Sequence, residues 1–428
     1  MVKTSILASA ILLLAASAVS AYPTSMDDGL APLYHSPEAE AIANGYIVVL
    51  KDHLDTNQVR THCNDIGRYS KRDLMDDRLD PLTAPGIKLT YDLPGLKGYS
   101  GQFDDAMLEH IRRSPDVAYV ERDTMMYASE LQRGAPWGLS RISHRDALTL
   151  RTFSKYTYNE DGGKGIKVYV IDTGINTEHV DFEGRAEWGA TLAEGDPDVD
   201  GNGHGSHCSG TIAGKKYGVA KKAHPVAVKV LSSNGSGKNS WVIGGVDWAI
   251  QRHELDASNA KKEGRRYKGA VANMSLGGGK SRALDEAVNS AVDSGIVFAV
   301  AAGNDNRDAC NYSPAASELA ITVGASDISD NRAYFSNYGT CVDVFAPGLN
   351  ILSVWTGSKT ATNTISGTSM ASPHVAGLAA YFLSLEENDV SAKYIKDKIL
   401  STSSAGKIAD VGKGSPNLLI FNNNPDYA

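Results

Sequence analysis

The sequence predicts an α/β protein: a doubly wound, mainly parallel sheet preceded by a small α+β domain of ferredoxin-like pattern. Three observations carry that reading. Several runs in the later two thirds of the chain are almost wholly apolar, as strands covered on both faces of a parallel sheet must be. They alternate with segments whose apolar residues recur at helical spacing. The earlier part instead reads strand–helix–strand–strand–helix–strand, the split βαβ arrangement. The chain has 428 residues, 42% hydrophobic and 21% charged, which is enough for a large core.

The elements follow in order. Lys3 precedes an apolar run over residues 6–19 that ends in the small residues Val19-Ser20-Ala21. That reads as a secretory signal over residues 1–21, cut near Ala21 and too short to remain as a membrane span. The remainder is expected to be soluble, outside the cytosol and away from membrane. Extracellular secretion is the favoured destination, with a vacuole-like compartment as the alternative. Residues 22–42 are polar and patternless and read as a linker. Tyr46-Ile47-Val48-Val49-Leu50 begins the small domain, which covers about residues 44–127. Helical segments are expected over 53–72 and 107–113, and strands over 87–91, 98–103 and 117–121. In the large domain, residues 128–428, strands are expected over 165–171, 226–230, 270–274, 296–301, 320–323 and 342–345. Helices include 282–294 and 393–400, and the polar tail 421–428 reads as loosely held. The net charge of −8 and the lack of a basic run argue against nucleic acid as a partner.

Four cysteines are few for an exported chain. An oxidising compartment permits a bridge, and Cys310–Cys341 is the expected pair. It would close a loop of about 31 residues, worth roughly 3 kcal/mol in the chain-entropy model. The alternative is two free, buried thiols.

Four short stretches carry the chemistry. Asp172 ends the strand Val168-Tyr169-Val170-Ile171, where a doubly wound fold places its functional groups. Alone, such an Asp is a turn-former. His204 lies in Gly203-His204-Gly205-Ser206-His207-Cys208-Ser209-Gly210-Thr211, where flanking glycines allow close approach to a substrate. The zinc-protease arrangement needs two His four apart with a Glu between, and none is present. His207 reads as a packed helix residue. Asn304 follows a buried strand and could donate its amide to an oxyanion. Ser369, in Gly367-Thr368-Ser369-Met370-Ala371-Ser372-Pro373-His374-Val375-Ala376-Gly377, precedes apolar residues at helical spacing. Pro373 suits a first helical turn, so Ser369 is expected just ahead of a helix N-terminus, where free N–H groups collect.

Together these stretches resemble the subtilisin-like serine proteases, in particular the proteinase K subfamily that includes fungal secreted alkaline proteases. The likeness rests on Val170-Ile171-Asp172-Thr173-Gly174, the His204 motif, Ser275-Leu276-Gly277-Gly278-Gly279, Ala302-Gly303-Asn304 and the Ser369 motif, and runs from about Pro136 to Asn422. Ser206 stands where Thr is commoner. Tyr46-Ile47-Val48 and Val117-Ala118-Tyr119-Val120-Glu121-Arg122-Asp123 resemble the family's inhibitor-type propeptide. The resemblance implies a secreted serine endopeptidase of broad specificity, made as a self-processed zymogen whose propeptide covers residues 22–127 and is cut near Tyr127–Ala128. Asp172, His204 and Ser369 would form the triad, in the order that subtilisin exemplifies. Asn304 would complete the oxyanion hole. Gly235-Ser236-Gly237 and Ser275-Leu276-Gly277 would hold substrate as an added strand. The propeptide would serve as intramolecular chaperone and inhibitor of a monomeric enzyme that takes protein substrates and needs no organic cofactor.

The same likeness implies a structural Ca²⁺ on the Asp343 carboxylate and the carbonyls of Glu318 and Ala320. A second family site uses a Thr where this chain has Arg145. Two other readings stay open at this stage. A catalytically silent binding protein would be free to lose one of Asp172, His204, Asn304 or Ser369. An esterase of the usual α/β-hydrolase kind would carry Gly-x-Ser-x-Gly, and Gly367-Thr368-Ser369-Met370-Ala371 lacks the second glycine.

Overall fold

A computed structural model of the chain describes residues 29–35, 41–70, 86–93, 96–124 and 129–424. The expected signal segment and the Tyr127–Ala128 bond lie outside these residues. The chain separates into two compact units, Met1–Met126 and Tyr127–Ala428.

In the first unit the order is β1 (Leu33–Tyr34), β2 (Ala41–Leu50), α1 (Thr56–Ser70), β3 (Gly86–Leu93), β4 (Leu96–Gln102), α2 (Asp105–Arg112) and β5 (Val117–Thr124). The sheet order β1-β5-β2-β4-β3 is the ferredoxin-like arrangement with one strand added at its edge. That strand lies inside the segment read as a linker: Leu33 and Tyr34 pair in parallel with Val120 and Glu121. Two residues of pairing leave no periodic signal to read. Tyr46, Val48 and Leu50 alternate into a core with Tyr99, Phe103, Ile111 and Val120. Asp104 starts α2 by accepting from Met107 N at 2.8 Å.

The second unit opens with β6 (Ser129–Arg133), α3 (Trp137–Ile142) and β7 (Lys155–Asn159), the two strands forming a ribbon. There follow β8 (Lys167–Asp172), β9 (Glu187–Thr191), α4 (His204–Ala213), β10 (His224–Lys229), α5 (Asn239–Lys262), β11 (Ala270–Met274), β12 (Gly278–Gly279), α6 (Arg282–Asp293) and β13 (Ile296–Ala301). The rest comprises β14 (Tyr312–Ser313), β15 (Ile321–Ser326), β16 (Val344–Pro347), β17 (Ile351–Val354), β18 (Thr362–Ile365), α7 (Thr368–Leu385), α8 (Ala392–Thr402), β19 (Ser404–Ala405) and β20 (Leu418–Leu419). The main sheet runs β19-β20-β16-β15-β13-β11-β8-β10-β9, parallel throughout except for β19. β9 was not expected, because its half-buried Glu-Trp-Gly-Ala-Thr carries no apolar run.

β8 shows why helices cover both faces. Val168 and Val170 pack with Ile212 of α4 and Val375 and Leu378 of α7. Tyr169 and Ile171 point the other way, onto Val242 and Val246 of α5 and Leu284 and Val288 of α6. The chain winds from β8 to β10 on one side and to β11 on the other, so the crevice beyond their C-terminal ends is a topological switch point. The bridge Cys310–Cys341 is formed, with Cα atoms 5.3 Å apart. The tail departs from expectation. Phe421 is fully buried, and Asn422 donates its N–H to Ile142 O at 2.7 Å and its amide to Thr157 O at 2.7 Å. A short polar run thus docks through one ring and one amide, which no periodicity reveals.

Candidate active site

Asp172 is the last residue of β8 and is fully buried. Its Oδ1 accepts from Thr173 N at 2.7 Å and from His204 Nδ1–H at 2.8 Å. A carboxylate can only accept, so the proton sits on Nδ1 and Nε2 keeps its lone pair. His204 opens α4, with a quarter of its side chain exposed. Burial alone would lower its pKa; the charge and hydrogen bond of Asp172, with the charge of Asp200, outweigh that and raise it. Gly205 permits the approach of α4 to β8. A Cβ there would lie 2.3 Å from Gly174 O and 3.2 Å from Asp172 Oδ1.

The sequence reading missed Asp200. This buried carboxylate accepts from Thr173 Oγ1 (2.9 Å), Asn202 N (3.1 Å), Gly203 N (2.8 Å), Ser206 N (3.0 Å) and Ser206 Oγ (2.6 Å). It caps α4 and fastens the His204 segment to the turn after Asp172. Asp200-Gly201-Asn202-Gly203 just before a helix was the available signal, since acids favour that end. Ser206 keeps the hydroxyl this bond needs.

Ser369 lies in the first turn of α7 rather than ahead of it. Pro373 accordingly sits in the second turn, a correction to the expected first-turn place. A proline there has no N–H for the carbonyl four residues back. That carbonyl is Ser369 O, which instead accepts from Ser275 Oγ at 2.8 Å and Cys208 Sγ at 3.4 Å. The Ser369 Oγ donates to Ser275 O at 3.1 Å rather than to His204. Such bonds often re-form only with substrate present.

Asn304 follows β13. Its Oδ1 accepts from Thr368 N at 2.8 Å and Thr368 Oγ1 at 3.0 Å, which leaves Nδ2 as its donor. Gly303, at φ 102°, allows the turn; a Cβ there would be 2.3 Å from Asn337 Nδ2. Asn304, Ser369 and Gly277 line one cleft of about 360 Å³. His204, Gly235, Ser236, Gly237, Ser275, Leu276 and Gly277 line an adjoining cleft of about 440 Å³, with Leu231, Val242 and Leu284 as its apolar side. His207 lies apart from this chemistry: it is buried, bonded to Ile351 O at 2.9 Å, and burial pushes its pKa down to about 4. Asp172, His204 and Cys208 also converge within 4.8 Å. Burial holds the Cys208 thiol well above its usual range, and its Sγ–H donates to Ser369 O at 3.4 Å.

The oxygens expected to hold calcium do not fit an ion. Asp343 Oδ1, Glu318 O and Ala320 O surround Lys396 Nζ at 3.0, 3.3 and 2.6 Å. An ammonium occupies the place a divalent ion would need. At the second position Arg145 donates to Thr402 O at 2.8 Å and lies 4.2 Å from the centre of the Phe421 ring.

A doubly wound sheet with this Asp–His pair, a serine in a helix's first turn and an anchored amide has the architecture of a serine hydrolase. Residues 163–419 match the subtilase family, peptidase S8, and residues 45–129 match the peptidase inhibitor I9 family. The chain belongs to the subtilase family. It is 55% identical over 435 aligned positions to the subtilisin-like serine protease Pen c 2 of Penicillium citrinum, covering 96% of this chain and 94% of the relative. It is 52% identical to the subtilisin-like proteinase Spm1 of Pyricularia oryzae, covering 96% and 83%. Among solved structures it resembles a cold-adapted subtilisin-like serine proteinase, with TM-score 0.60 and 45% identity, covering 68% of this chain and 98% of that one. The protein is a serine endopeptidase with an inhibitor-type propeptide domain.

Proposed function

We propose that Asp172, His204 and Ser369 are the catalytic triad of a secreted, self-processing endopeptidase of broad specificity. The observation that carries this is the 2.8 Å Asp172–His204 bond, which leaves Nε2 basic at a cleft that adjoins Ser369 and Asn304. His204 Nε2 takes the Ser369 Oγ proton as the oxygen attacks the peptide carbonyl. Asp172 holds the tautomer and stabilises the imidazolium. The oxyanion forms against Asn304 Nδ2 and the Ser369 N–H, a first-turn amide with no carbonyl four residues back in its helix. His204 then gives the proton to the leaving amine, and water, deprotonated by the same base, releases the acyl group.

Gly235-Ser236-Gly237 and Ser275-Leu276-Gly277 line one cleft and belong to no strand, a setting in which an extended peptide can add alongside. Ser232 and Asn234 take up Gly235 N, Ser236 N and Ser236 O, and Ser369 Oγ bonds Ser275 O, so Gly237, Leu276 and Gly277 are left to carry most of the backbone contacts. Recognition through backbone gives breadth, and Leu231, Val242 and Leu284 favour apolar or aromatic side chains before the cut. The propeptide would template folding, block the cleft and be cut near Tyr127–Ala128. No helix among the described residues is long and apolar enough to cross a membrane.

The test is intact mass over time for wild type and Ser369→Ala, each expressed as the full chain. Loss of the propeptide in wild type alone supports the reading. Equal processing of both, or of neither although folded, contradicts it and favours a silent binding protein.

A further inference from the structure

Lys396 projects from the middle of α8, and its side chain is 17% exposed. An ammonium has three N–H donors. Here three acceptors meet it: Ala320 O at 2.6 Å, Asp343 Oδ1 at 3.0 Å and Glu318 O at 3.3 Å. Its hydrogen-bonding capacity is filled by oxygens alone. Asp343 is itself fixed, since its Oδ2 accepts from Thr322 N at 2.8 Å and its own N–H donates to Thr322 O at 2.9 Å. The cluster therefore joins α8, the segment entering β15 and the turn before β16. These pieces lie 76 and 78 residues from Lys396 along the chain on the β15 side.

Two carbonyls and a carboxylate are hard oxygen donors of the kind that suit Ca²⁺, which binds at about 2.3–2.6 Å and takes six to eight such ligands. With the ammonium in place, an entering ion would meet a positive charge and lose access to oxygens already committed. Without it, one carboxylate and two carbonyls would be left with no cation between them.

We propose that Lys396 is a built-in cation that takes the place of calcium here, and that removing its ammonium turns the same three oxygens into a calcium site. The domain thus keeps a cross-link between helix and sheet that no chelator can extract. The monovalent charge also balances the single carboxylate.

Calcium stoichiometry and thermal unfolding, measured with a serine-protease inhibitor present, test this on wild type, Lys396→Ala and Lys396→Met. Lys396→Ala should bind one more calcium per molecule than wild type. In EDTA both variants should unfold about 5 °C below wild type, the scale expected for breaking a buried pair in a domain of this size. Millimolar calcium should restore most of that loss in Lys396→Ala. It should move Lys396→Met no more than wild type, because the apolar chain fills the space. Equal calcium stoichiometry in wild type and Lys396→Ala would overturn the proposal. So would loss of one bound calcium from wild type on Asp343→Asn. If Lys396→Ala does not fold, wild-type crystals soaked in terbium decide. Anomalous density bonded to the Asp343 carboxylate overturns the proposal, and an ammonium retained there supports it.

Discussion

Replacing Asn304 tests the oxyanion assignment most sharply, because the structure isolates its donor. Thr368 occupies the Asn304 Oδ1 with both its N–H (2.8 Å) and its hydroxyl (3.0 Å), and Gly303 N in turn bonds that hydroxyl at 3.1 Å. Nδ2 is the end left over. A hydrogen bond to a charged oxygen is worth about 1.5–3 kcal/mol, so its loss should slow the chemical step roughly 10- to 150-fold. A dry, preorganised site raises that toward about 10²–10³, the cost of removing such a donor in subtilisin, a relative of this chain, and a value carried over from it. The donor meets full negative charge only in the transition state, so kcat falls in Asn304→Ala while KM stays nearly constant. Asn304→Asp, which places an anionic oxygen at the same point, should lose more. Thr368→Val, which removes one of the two anchors, should lose less. Steady-state hydrolysis of a chromogenic peptide, with unfolding checked for each variant, reads all three. A kcat for Asn304→Ala within about threefold of wild type would refute the reasoning, since it implies less than ~1 kcal/mol of stabilisation.

Four further outcomes follow from the same geometry. The raised pKa of His204 means that kcat/KM should climb with pH through a midpoint above the ordinary ~6.5, and Asp172→Asn should lower that midpoint as well as the rate. The stability linked to this histidine has the opposite sign: it is present below ~6.5 and lost as pH rises through the folded pKa, which pH-dependent denaturant titration measures. Replacing Cys310 and Cys341 by serine opens a loop of sequence separation 31, and the chain-entropy model puts the cost at about 3–4 kcal/mol, or roughly 6–10 °C in Tm by calorimetry. Phe421→Ala should cost about 3–5 kcal/mol in chemical denaturation, since its ring is fully buried beneath Arg145.

What was legible in the sequence is what local chemistry marks. Apolar runs located β11 and β13 to the residue, because strands buried on both faces need unbroken hydrophobicity. The same logic put Asp172 at a strand end and Asn304 just beyond another. Contacts across long separations left no such mark. Lys396 on three oxygens depends on α8 lying against the sheet, and nothing in residues 393–400 announces it. Pro373 is helix-compatible in two places by its own preferences. The second-turn place is set by Ser275 and Cys208, which take up the carbonyl it frees. Asp200 was readable as a turn residue, while its grip on Thr173 required the fold. The tail was misread because Phe421 is one ring among polar neighbours, and only the surface it meets decides its burial.

The central claim is that Ser369 is the nucleophile, and active-site labelling tests it most directly. Mature protein is treated with a fluorophosphonate probe, digested and mapped by mass, with a heat-unfolded sample as control. The account predicts one label per molecule, on Ser369, in the folded sample alone, with loss of peptide hydrolysis in proportion to labelling. A label on another residue, or undiminished hydrolysis after complete labelling of Ser369, would contradict it.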